Sequence, residues 1–167
     1  KRWVIKDADE DKVNSLQQDL KVHPVVCKLL VQRGIYTYEA ARKFFRPVLT
    51  DLYDPFLMKD MQKAIDRINT AIANNERILI YGDYDVDGTT SVALAYSFFY
   101  SIYKNIDYYI PDRYLEGYGI SIKGIDHAKQ TECSIVIAME CGINAVDKIA
   151  YTNTLGVDFI ICNHHIP

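Results

Sequence analysis

Arg77-Ile-Leu-Ile-Tyr-Gly-Asp-Tyr-Asp-Val-Asp-Gly88 decides the fold. Its first part, Arg77 to Tyr81, is a short apolar run bounded by polar residues, which predicts a buried strand. Its second part packs three carboxylates, Asp83, Asp85 and Asp87, into a turn ending on Gly88. Thr89 to about Tyr103 follows as a helix that is apolar on most faces. A strand that runs into a polar turn and then a helix is the opening of an α/β unit.

The pattern repeats downstream. Asp107 to Ile110 reads as a strand stopped by Pro111, Lys123 to Gln130 as a short helix, and Ser134 to Met139 as a central strand. Asn144 to Leu155 reads as a helix closed by Gly156. Asp158 to Cys162 is the last strand. Upstream, Met61, Ala64, Ile65, Ile68, Ala71 and Ile72 recur at helical spacing, and Asn74-Asn75 ends that helix. The alternation predicts an α/β fold, a parallel sheet with helices on both faces, over residues 59–167.

Residues 1–58 differ. Asp9 to Leu20 carries Val13, Leu16 and Leu20 at amphipathic spacing, His23-Pro24 interrupts it, and Val25 to Gln32 resumes a helix. Thr37 resembles an N-cap for a helix reaching Phe45. This small helical segment shows no catalytic constellation and reads as a packing element.

In parallel sheets, ligands bind beyond the carboxyl ends of the strands. Three strands end in polar clusters: Asp83, Asp85 and Asp87 after the first, Glu140-Cys141-Gly142 after Met139, and Asn163-His164-His165 after Cys162. Carboxylates and imidazoles meeting at one edge suit a divalent cation such as Mn²⁺, with Mg²⁺ or Zn²⁺ as substitutes. Two ions about 4 Å apart would activate a water and offset phosphoryl charge. A calcium loop is the competing reading of DYDVDG, but the twelfth position from Asp83 is Leu94 rather than Glu. Cys141 and Cys162 lack zinc-finger spacing and read as core thiols.

Bulk properties agree. The 167 residues are 49% hydrophobic and 25% charged, with net charge −3, so nothing global advertises nucleic acid or disorder. The four cysteines form no CxxC pair, which fits a reducing compartment. The amino terminus lacks an apolar secretory core, and no apolar run approaches the roughly 18 residues of a membrane span. The expectation is a cytoplasmic protein with no membrane association. A chain that stops at Pro167, beside its His-His pair, also reads as part of a longer polypeptide, truncated at the C-terminal end of this domain.

These motifs, in order, resemble the DHH phosphoesterase family. Asp83, Asp85, Asp87 and Gly88 match its first motif, and Asn163, His164 and His165 fall on its Asp-His-His. The segment Ile110 to Gly119, with the helical preface, resembles the RecJ branch. The resemblance implies a Mn²⁺- or Mg²⁺-dependent exonuclease that degrades single-stranded DNA 5′ to 3′ in repair and recombination. A helicase or a single-strand-binding protein would be its partner. It further implies Asp85, Asp87, His164 and His165 as metal ligands, Asp83 in or beside the site, and Arg113, Glu116, Gly117, Tyr118 and Gly119 near substrate. Glu140 and Asn163 stand where the family usually has Asp, at a bridging ligand and in the catalytic set. Those departures sustain one alternative, a catalytically silent nucleic-acid-binding scaffold; a small-molecule or oligonucleotide phosphodiesterase is a second alternative, which keeps the fold and changes the substrate.

Overall fold

The computed structural model describes residues 2–164, which leaves the expected ligand His165 outside the described residues. The chain divides into two compact units, the first ending at Leu57 and the second beginning at Met58.

The first unit contains α1 (Glu10–Leu20), α2 (Pro24–Val31) and α3 (Tyr38–Phe45). Asp9 caps α1 by accepting from Lys12 N, and Thr37 caps α3 by accepting from Ala40 N. Val13, Leu16, Cys27, Leu30 and Ala41 form its core. Pro24, read as part of a break, is instead the first residue of α2. Its fixed φ suits a first helical turn, where no N–H is needed.

The second unit holds α4 (Met61–Ala73), β1 (Arg77–Gly82), α5 (Val86–Ile102), β2 (Ile106–Tyr109), α6 (Ile122–Gln130), β3 (Cys133–Met139), α7 (Val146–Leu155) and β4 (Asp158–Cys162). The four strands pair in parallel in the order β2-β1-β3-β4. Alternate side chains of β1 and β3 face opposite ways. Ile78, Ile80, Ile135 and Ile137 pack with Ile68 and Ile72 of α4 and with Val92, Ala95 and Phe99 of α5. Leu79, Tyr81, Val136 and Ala138 pack with Ile125 and Ala128 of α6 and Ile149 of α7. Helices therefore cover both faces, as the continuous apolar runs of the strands require. Each large side chain so buried stabilises the fold by roughly 1.5–3 kcal/mol.

The chain leaves β1 outward to β2, then crosses back to β3 and outward to β4. The strand order thus reverses between β1 and β3, the place where open parallel sheets bind ligands, beyond the strands' carboxyl ends. Among the described residues, no helix is long and apolar enough to cross a membrane.

Candidate metal centre

The Asp-rich turn is tighter than its spacing predicts. The helix after it begins at Val86 rather than Thr89, because the Asp85 carboxylate caps it, Oδ1 accepting from Gly88 N at 2.9 Å. Asp87 therefore lies in the first helical turn, where its charge is favoured by the helix dipole, and its Oδ1 also accepts from Gly88 N at 3.1 Å. Gly88 itself touches the backbone of Asp83: a Cβ there would lie 2.6 Å from Asp83 O.

Asp83 is fully buried. Its Oδ1 accepts from Tyr84 N at 2.7 Å and its Oδ2 from Gly119 N at 2.9 Å. Burial pushes its carboxyl above the usual range against the pull of those two donors, and the charges of Asp85 and Asp87 add to the push. It braces the turn from beneath rather than opening toward solvent.

The second cluster begins where β3 ends. Glu140 adopts φ 59°, a left-handed backbone rare for a residue of its shape, and its N–H donates to Cys162 O at 2.7 Å. That bond ties the end of β3 to the end of β4. Gly142 has φ 102°, and a Cβ there would come within 2.5 Å of Ile120 Cδ1. His164 follows β4, its Nδ1 in contact with Glu140 Oε2.

Asp87, Glu140 and His164 consequently offer one ligand atom each, all within 4.8 Å of one another. Two carboxylate oxygens and an imidazole nitrogen fit a hard-to-borderline divalent cation such as Mn²⁺. Asp85, expected beside Asp87 as a ligand, uses Oδ1 as the helix cap, while its Oδ2 accepts from Tyr118 OH at 3.1 Å. That contact pushes the Tyr118 phenol up to about 12. Asn163 lines a groove of about 570 Å³ together with Tyr118, Glu140, Gly142 and Lys148.

The segment expected near substrate divides by role. Arg113 is exposed, its guanidinium 5.1 Å from the centre of the Tyr84 ring. Glu116 instead turns its carboxylate inward, accepting from Tyr109 OH, Asp112 N and Ser121 Oγ. Gly117 and Gly119 have φ 78° and 82°, which shape the loop. Tyr84, passed over in the sequence, packs edge-on to Tyr118 at 5.8 Å and carries Arg113. Its position between two aspartates was the only local signal for it.

Cys141 is buried, with its thiol pushed up to about 12 by that burial, whereas Cys162 is exposed despite its apolar strand. Thiolate is the reactive form, so burial disfavours alkylation of Cys141 both by shielding the sulfur and by raising its pKa. We expect iodoacetamide to leave Cys141 unmodified in the folded protein and to modify it after denaturation. Peptide mass spectrometry checks this, and rapid native modification would contradict the buried placement.

The family model described as DHH family, N-terminal domain, matches residues 77–167. Over 166 residues the chain is 44% identical to the single-stranded-DNA-specific exonuclease RecJ of Bacillus subtilis, a match covering 99% of this chain and 21% of that protein. The RecJ of Salmonella typhimurium is 30% identical over 161 residues, covering 95% and 27% respectively. A crystal structure of exonuclease RecJ bound to manganese superposes with a TM-score of 0.61 at 26% identity, over 66% of this chain and 28% of that one. The structure of RecJ in complex with Mn²⁺ from Thermus thermophilus gives 0.68 over 95% and 22%, and at 20% identity it supports the fold alone. The chain thus spans between about a fifth and under a third of the length of these relatives.

Proposed function

This chain belongs to the DHH family, and on that premise we propose that it carries the metal centre of a single-stranded-DNA exonuclease working 5′ to 3′. The observation that carries the reading is the convergence of Asp87, Glu140 and His164 beyond the carboxyl ends of β1, β3 and β4. The names of its relatives supply the substrate class, and a manganese-bound relative supplies the metal. Asp87, Glu140 and His164, with Asp85 and His165, would hold two ions of Mn²⁺ or Mg²⁺. Bound there, the cations would lower the pKa of a water and offset charge on a phosphoryl oxygen.

The remaining roles belong to this chain's own side chains. Asp83 and the Gly88 N–H hold the Asp-rich turn in shape. Arg113 sets a planar cation beside the Tyr84 ring, a pairing that suits a phosphate and a stacked base. Asn163 borders the groove without the charge that an aspartate would bring. A place in DNA repair and recombination, in the cytoplasm and beside a helicase or a single-strand-binding protein, is part of the same proposal and rests on the resemblance. None of the relatives reported above is named as a scaffold or as a small-molecule phosphodiesterase.

The test is release of nucleotides from 5′-labelled single-stranded DNA by the full-length polypeptide. Release is expected with Mn²⁺ and none with EDTA. Intact DNA in the presence of Mn²⁺ would sink the nuclease reading.

A further inference from the structure

The loop before α6 grips the Asp-rich turn at several points. Gly119 N donates to Asp83 Oδ2 at 2.9 Å, and Tyr118 OH donates to Asp85 Oδ2 at 3.1 Å. Tyr81 OH donates to Gly119 O at 2.9 Å and accepts from Ser121 N at 3.0 Å. The Tyr118 ring also meets the Tyr84 ring edge-on. The loop is itself held from behind, since the Glu116 carboxylate takes donors from Tyr109, Asp112 and Ser121. Two consecutive acids of the motif therefore each receive one donor from residues more than thirty positions away.

We propose that Tyr118 is a positioning residue for the metal centre: its hydroxyl sets the orientation of the Asp85 carboxylate and, through it, the affinity for the cation. The inference rests on the metal-centre reading above and reassigns Tyr118, which the sequence resemblance places near substrate. Two anchors fix the plane of a carboxylate where one leaves it free to rotate. Here Oδ1 is anchored by Gly88 N and Oδ2 by Tyr118 OH. Partners of this kind behind a metal ligand orient it, and their loss costs about 10- to 100-fold in metal affinity. The positive φ at Gly117 and Gly119 explains how the loop turns Tyr118 back toward Asp85.

The test is Mn²⁺ titration of the full-length protein, followed by calorimetry and by the electron paramagnetic resonance of free Mn²⁺. Tyr118→Phe keeps the ring against Tyr84 and removes only the hydroxyl. The expected result is a Mn²⁺ dissociation constant raised about 10- to 100-fold. Single-stranded DNA affinity measured in EDTA should stay unchanged, as should the circular dichroism spectrum. A second comparison shows whether the effect runs through Asp85: Asp85→Ala and Asp85→Ala/Tyr118→Phe should bind Mn²⁺ equally weakly. An unchanged Mn²⁺ constant in Tyr118→Phe would overturn the proposal, as would a selective loss of DNA binding in EDTA. Additive losses in the double variant would overturn it too. Failure of the unsubstituted protein to bind Mn²⁺ would instead remove the metal-centre reading, and this inference with it.

Discussion

Full-length protein carrying Glu140→Asp together with Asn163→Asp is expected to release nucleotides from single-stranded DNA at least about 100-fold faster than the unsubstituted protein in Mn²⁺. The argument begins at the backbone. Glu140 occupies a left-handed conformation, φ 59°, that Asp tolerates better than Glu, and its N–H is already committed to Cys162 O. With the main chain held there, the extra methylene of Glu carries the carboxylate on the order of 1 Å further out, where it meets His164. Shortening it returns the oxygen toward β3, and Asn163→Asp adds a negative charge to the groove that Asn163 lines. Initial rates on 5′-labelled DNA across a Mn²⁺ series measure the effect. Equal rates would mean that this chain's geometry already suits its reaction, and the account of Glu140 as a handicap would fall.

Gly88→Ala is expected to abolish Mn²⁺-dependent activity and to destabilise the fold by about 3 kcal/mol, the upper part of the usual overpacking range. The added Cβ would meet Asp83 O at 2.6 Å, Asp83 N at 2.9 Å and Asp83 C at 3.0 Å. These are backbone atoms of the fully buried Asp83, directly after β1, so no side-chain rotation relieves the contact. The neighbouring Gly82 gives no slack, because it is itself in close contact with Val92. Relief would require moving α5 away from β1. That would carry Asp87, in the first turn of α5, away from Glu140 and His164. Urea unfolding gives the stability change and Mn²⁺ titration the loss of the site. A variant of wild-type stability that still binds Mn²⁺ would show that the strand-to-helix contact is softer than its geometry implies.

The two substitutions mark a division that runs through the molecule. Periodicity and punctuation were enough to place every strand to within a residue and to predict a parallel sheet with helices on both faces. Strand 133–139 falls where its apolar run lies, because a central strand of a parallel sheet, covered on both faces, needs consecutive apolar side chains, a property of neighbouring residues. The motifs after β1, β3 and β4 were legible for a related reason: polar residues that end an apolar run must leave the sheet at its carboxyl edge.

Local pattern did not carry the start of α5, the burial of Asp83 or the inward turn of Glu116. The start of α5 rests on a local cap, Asp85 accepting from Gly88 N three residues on, which the polar turn obscured; Asp83 depends on Gly119 N, and Glu116 on Tyr109 and Ser121, partners brought to them by the fold of the loop. The sequence by itself determined the order of elements and the edge at which Asp87, Glu140 and His164 meet, since hydrophobic burial follows the spacing of adjacent side chains. Tertiary structure alone decided that Asp87, rather than Asp85, shares a ligand-sized space with Glu140 and His164, while Asp85 turns to Gly88 and Tyr118. Carboxylate direction is set by hydrogen-bond donors from distant segments, and no spacing along one segment encodes where those donors come to rest.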